Sequence, residues 1–174
     1  MRAVGKYIVI EPIKEVNSIT KVIEYKSRDD YQLYGFLTLP QGIKNPPVIL
    51  FPHGGPTARD RIDYFDPWLQ AMVSQGYAVF QPQFRGSAGW GKDYQVSGYR
   101  ESGKKMQNDM IDGFDYVVQN YDLNAKKACI VGASYGGYAA TQSAIMRPDL
   151  FRCSVSDVGV YHIPNLFKNG DIQA

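Results

Sequence analysis

Ala128-Cys129-Ile130-Val131-Gly132-Ala133-Ser134-Tyr135-Gly136-Gly137 is the stretch from which the rest of the chain can be read. An apolar run, Ala128 to Val131, leads into Gly-x-Ser-x-Gly. Small residues suited to a helix then follow, from Tyr138 to Met146. The order strand, sharp serine-bearing turn, helix is what makes so short a pattern a nucleophile elbow. Such a turn forces the serine into a strained backbone conformation. Bulk two residues before or after it would strike the adjoining strand and helix, so glycine stands at 132 and 136. Ser134 is therefore expected at the carboxyl end of a parallel strand, exposed near a helix N-terminus. That is a position for nucleophilic attack.

Working outward, Pro47-Val48-Ile49-Leu50-Phe51 and Tyr77-Ala78-Val79-Phe80 are short, continuously apolar runs. Runs of this kind mark strands buried on both faces. Between them Trp68, Leu69, Met72 and Val73 recur at helical spacing and stop before Gly76. Residues 86 to 103 read as a glycine-rich loop. After it, Met106, Met110, Phe114, Val117, Val118 and Tyr121 line one face of a helix. A strand is predicted over 127–131, a helix over 135–146 and a last strand over 153–157. Nearer the start, residues 20–27 and 31–39 are rich in β-branched and aromatic side chains. Arg28-Asp29-Asp30 between them gives a hairpin signal. Residues 1–18 stand apart: Tyr7-Ile8-Val9-Ile10 is strand-like and Pro12 interrupts it. They read as an N-terminal extension or linker, with residues 19–174 as the main unit. A hairpin followed by alternating strands and helices predicts an α/β sheet, mostly parallel with an antiparallel start. In such sheets functional loops lie at the carboxyl ends of the strands. The segments 53–56 and 132–137 both fall there.

With 174 residues and 44% hydrophobic content, one domain with a real core is expected. A net charge of +2 argues against a nucleic-acid surface, and Lys104-Lys105 and Lys126-Lys127 read as solvated pairs. No apolar run approaches the roughly 20 residues that span a bilayer, so no membrane partner is expected. The segment Met1 to Lys6 lacks the apolar centre of a secretion signal. Cys129 and Cys153 lie in apolar strand-like runs and read as small, unpaired core residues. Nothing has zinc-site spacing, and no metal or cofactor is expected. Together these features favour a cytoplasmic location. Asp109, Asp112 and Asp115, three apart on one helix, read as its solvated face.

Five segments together resemble the prolyl oligopeptidase family of serine peptidases, most of all its acylaminoacyl-peptidase and dipeptidyl-peptidase-like branches. They are Leu37-Thr38-Leu39-Pro40, His53-Gly54-Gly55-Pro56, the run Phe84 to Gly91, the run Asn108 to Gly113, and Gly132 to Tyr138. The likeness extends from about Thr20 to the last residue. It implies an α/β-hydrolase fold, here incomplete: the first six strands of a mostly parallel sheet with flanking helices. It also implies hydrolysis of short peptides through an acyl-enzyme on Ser134. The N–H groups of Gly55 and Tyr135 would form the oxyanion hole. His53 and Arg85 are candidate substrate-site residues. His53 belongs to the oxyanion loop rather than acting as base, and Arg85 would either clamp a substrate carboxylate or brace its loop.

In that family the triad acid and histidine follow the serine after two further strands. Asp157 and His162 come after the wrong strand for those roles, so the chain is expected to lack both and to be inactive alone. An esterase-like hydrolase and a non-catalytic module of the same fold are the alternatives. An uncovered sheet edge would also favour self-association.

Overall fold

The computed structural model describes residues 17–169. The strand-like reading of Tyr7 to Ile10 therefore lies outside the described residues. In chain order the elements are β1 (Ser18–Lys26), β2 (Gln32–Pro40), β3 (Pro47–Leu50), α1 (Pro67–Ser74), β4 (Ala78–Gln83), α2 (Lys92–Val96), α3 (Lys105–Asn120), β5 (Asn124–Ala133), α4 (Tyr135–Met146), β6 (Cys153–Asp157) and α5 (Ile163–Asn169). The strands form one sheet in the order β1-β2-β4-β3-β5-β6. The expected hairpin is present, with Lys26 opposite Gln32 and Ser18 opposite Pro40. Strand β2 pairs antiparallel with β4, and the pairs β3–β4, β3–β5 and β5–β6 are all parallel. This is the mostly parallel sheet with an antiparallel start that the pattern called for.

Three local features differ from the sequence reading. Strand β4 continues through Gln81, Pro82 and Gln83 instead of stopping at Phe80. The Phe80 carbonyl accepts from Phe51 N–H on the β3 side, and Pro82 has the same orientation two residues later. By then β3 has ended, so the missing N–H of Pro82 costs no ladder bond. Helix α2 interrupts the glycine-rich loop, and α5 follows β6.

The buried face of α3 carries Met106, Met110, Phe114 and Val117, as the 3.6-residue period requires. The same helix also buries Gln107 and Asp109 completely. Asp109 is thus not on a solvated face. Its carboxylate accepts from Arg85 Nε at 2.7 Å, which offsets part of the charge-burial penalty that would otherwise keep it out of the core. Asp112 and Asp115 do lie nearer the surface, paired with Arg28 and Arg147.

The cysteines also depart from expectation. Cys129 on β5 and Cys153 on β6 are register partners and are joined by a disulfide. Register between parallel neighbours sets this pairing, and a sequence separation of 24 does not announce it. The argument from free thiols to a cytoplasmic location loses its premise, because disulfides persist mainly in oxidising compartments. Strand β6 forms one edge of the sheet, and most of its residues are exposed. Among the described residues, no helix is long and apolar enough to cross a membrane.

Candidate active site

Strand β5 ends at Ala133, and Ser134 turns the chain into α4 with φ 55° and ψ −120°. For a residue with a Cβ this is strained backbone, of the kind that concentrates at functional sites. The serine is exposed. Its N–H donates to the Asp157 carbonyl at 3.0 Å, and its own carbonyl accepts from Tyr138 N–H at 3.1 Å. Asp157 therefore supports the turn through its backbone, not its carboxylate.

The flanking glycines explain themselves geometrically. A Cβ on Gly132 would lie 2.3 Å from the Gly136 carbonyl oxygen, and one on Gly136 would lie 2.3 Å from the Pro52 carbonyl oxygen. The second contact brings the segment after β3 against the elbow. Gly54 stands beside Ala133 and Ser134, and Gly55 has φ 117°, a conformation that side chains resist. Tyr135 is the first residue of α4, so no preceding helical turn offers its N–H an acceptor. Its ring is fully buried against Phe84 and Tyr138. Its hydroxyl donates toward Ser102 Oγ at 3.2 Å and accepts from Gln107 Nε2 at 3.3 Å. Burial pushes its pKa up to about 12.

His53 is buried with its ring stacked on Phe84, centroids 4.4 Å apart. Its Nδ1 lies 2.7 Å from the Gly54 carbonyl oxygen and its Nε2 lies 2.8 Å from Ser87 Oγ. A carbonyl only accepts, so Nδ1 carries the proton. Burial lowers the pKa to about 4, which leaves the ring neutral and Nε2 an acceptor for the Ser87 hydroxyl. That hydroxyl also lies 2.7 Å from the Phe84 carbonyl, so one proton serves two acceptors. His162 is exposed, and its Nδ1 accepts the Asn165 N–H at the start of α5. His53 is thus held by Gly54 and Ser87, and the Nδ1 of His162 by the first turn of α5.

Arg85 is not available to clamp a substrate carboxylate. Its Nε and Nη2 donate to Asp109 at 2.7 Å each, and its Nη1 and Nη2 donate to Asp29 at 3.0 and 2.6 Å. Burial works against its charge, but the hydrogen bonds it donates to Asp109 and Asp29 hold its pKa above the ordinary value. The same contacts, with Ser27, hold Asp29 well below the usual carboxylate range. Arg85 braces the loop after β4 against the β1–β2 turn and α3.

Sequence reading passed over Ser87, Gln107 and Asp60. Ser87 and Asp109 sit inside quoted motif segments, but only the packing shows which side chains they meet. Asp60, in the loop after β3, accepts from Gln81 and Gln83 side-chain amides at 3.1 and 3.0 Å. It floors a cleft beside Phe36 and Trp90. Burial pushes its carboxyl up to about 7 against those two donors.

Comparison with known proteins adds to this geometry. A model described as "Prolyl oligopeptidase family" matches residues 63–173. Dipeptidyl aminopeptidase BIII of Pseudoxanthomonas mexicana is 38% identical over 157 residues, which is 84% of this chain and 22% of that protein. The acylamino-acid-releasing enzyme of Homo sapiens is 23% identical over 174 residues, 93% of this chain and 23% of its own length. Among solved structures, the Pyrococcus horikoshii acylaminoacyl peptidase superposes with a TM-score of 0.78 at 28% identity. That match covers 87% of this chain and 24% of the other. The chain thus spans about a quarter or less of the length of these relatives.

Proposed function

Because this chain belongs to the prolyl oligopeptidase family, we propose that Ser134 is the nucleophile of a serine peptidase acting on short peptides. The Ser134 oxygen attacks the carbonyl carbon of the scissile bond, and the carbonyl π electrons move onto oxygen. N–H groups of Gly55 and Tyr135 take up that negative charge. Collapse of the adduct breaks the C–N bond, and the serine's proton leaves with the amine. Water then attacks the acyl-serine ester and releases the acid. Carrying that proton requires a general base within hydrogen-bond reach of the Ser134 hydroxyl, a role that His53, held by Gly54 and Ser87, does not fill. Metal ions and cofactors have no part in the proposed chemistry. Removing one oxyanion donor typically costs about 2.7–4 kcal/mol of transition-state stabilisation, so the two N–H groups would supply a large part of catalysis.

The observation that carries this reading is the exposed, left-handed Ser134 standing next to Gly54. It is tested by expressing the intact reading frame that contains residues 1–174 and treating it with a fluorophosphonate probe. The expected result is a single adduct on Ser134, hydrolysis of N-acyl-aminoacyl or dipeptidyl amides, and loss of both in Ser134→Ala. Adduct formation on another residue, or turnover of esters without amides, would overturn the peptidase assignment.

A further inference from the structure

Two polar side chains of α3, Gln107 and Asp109, are completely buried, and the proposed chemistry uses neither. Two residues apart on a helix, they point in different directions, roughly 200° apart at 3.6 residues per turn. Each leads to one of the proposed oxyanion donors.

From Asp109 the path runs through Arg85. The carboxylate accepts from the Arg85 backbone N–H at 3.0 Å as well as from its guanidinium, which fixes the chain where it leaves β4. Phe84 and Ser87 belong to that fixed segment, and both hold His53: one by stacking, the other by hydrogen bond. His53 is followed at once by Gly54 and Gly55. From Gln107 the path is shorter. Its Oε1 accepts the Gly103 N–H, and its Nε2 donates to the hydroxyl of Tyr135. Apolar side chains would fill the same space, but they would not specify one position as a satisfied buried polar network does.

We propose that Ser87 and Gln107 are positioning residues which, with the Arg85–Asp109 ion pair, fasten the Gly55 and Tyr135 donors to one common frame, helix α3. This deepens the peptidase reading and rests on it. The donors come from loops after different strands, β3 and β5, so their separation must be set by something that touches both. A displacement of about 1 Å at such donors costs on the order of 100-fold in rate.

The test uses Ser87→Ala and Gln107→Met in the intact reading frame, with two kinds of readout. The first, independent of catalysis, is 15N relaxation dispersion at the amides of Gly54, Gly55 and Tyr135. New microsecond-to-millisecond exchange is expected at Gly54 and Gly55 in Ser87→Ala, and at Tyr135 in Gln107→Met. The second is kinetic: a fall in kcat of about tenfold with KM unchanged, and an equal loss of affinity for a peptide aldehyde, whose adduct carries the oxyanion. A purely structural role predicts lower melting temperatures with unchanged dispersion, kcat and aldehyde affinity, and that result would overturn the proposal. If the unsubstituted enzyme cleaves no peptide, the peptidase reading fails instead. The dispersion data then decide the positioning claim: new exchange at those three amides supports it, and none overturns it.

Discussion

A side-chain carbon placed on Gly54 would stand 3.6 Å from the Cβ of Ser134 and 3.3 Å from the Ala133 carbonyl oxygen. Segments 80 residues apart in the chain therefore meet in van der Waals contact, with glycine on the side where room is least. The parallel pairing of β3 with β5 brings this about, because it sets the two following loops side by side.

The tightest point of that meeting is Gly136, whose added Cβ would strike the Pro52 carbonyl at 2.3 Å. Backbone cannot rotate away as a side chain can. Gly136→Ala is expected to destabilise the fold by at least about 1–3 kcal/mol, the usual range for overpacking. Urea denaturation measures it, and a midpoint equal to the parent's would refute the close approach. A Cβ on Gly132 would strike the Gly136 carbonyl oxygen itself, so the two sites touch and the double variant should deviate from the sum of the two.

Among the described residues, Asp109→Ala leaves the buried guanidinium of Arg85 with Asp29 and Ser27 as hydrogen-bonding side chains and the Tyr31 ring 4.9 Å away. Breaking a buried pair from one side costs about 3–5 kcal/mol. The double replacement Asp109→Leu with Arg85→Met should be markedly less destabilised than Asp109→Ala. Equal losses in both would mean the ion pair is not the cause.

The half-buried carboxyl of Asp60 and the buried ring of His53 give opposing pH dependences. Asp60 has a pKa of about 7 against an ordinary 3.8, so the folded protein keeps a proton that the unfolded chain releases. Its contribution to stability falls as pH rises from about 4 to about 7. His53 has a pKa of about 4 against an ordinary 6.5, so the unfolded chain takes up a proton that the folded protein refuses. Its contribution falls as pH drops across that window. Asp60→Asn removes the first slope only. Relative to the parent, the variant should gain stability at pH 8 and lose that advantage steadily toward pH 4. Denaturation midpoints that differ by a constant across this range would contradict the assignment.

The Cys129–Cys153 bridge closes a loop between two parallel neighbours. Chain-entropy arguments for a loop of this size give about 3 kcal/mol of stabilisation. Alkylation of the folded protein should modify neither cysteine before reduction and both after reduction and unfolding. Cys129→Ala with Cys153→Ala should lower the melting temperature. Two free thiols in the untreated protein would exclude the bridge.

β6 is an edge strand of the sheet formed by the described residues, with Val155 about half exposed, so the isolated chain is expected to self-associate. Val155→Lys should shift sedimentation toward monomer. A monomeric parent at high concentration would dispose of this expectation.

How far the sequence led depended on the range of the interactions involved. The sharp turn at Ser134, the hairpin and the apolar face of α3 were all legible, because each depends on periodicity or on steric rules acting within a few residues. Cys129 with Cys153, Arg85 with Asp109, and His53 with Ser87 were not. Arg85 illustrates the difference: a cation in a glycine-rich loop looks available to a ligand until the hairpin turn and α3 are placed against it.

By itself the sequence determined the alternation of strands and helices, and the strained corner at Ser134, since side-chain size and backbone strain already restrict those choices locally. Only the tertiary structure decided which buried polar groups meet, because sheet order and register bring together residues whose separation along the chain carries no sign of contact.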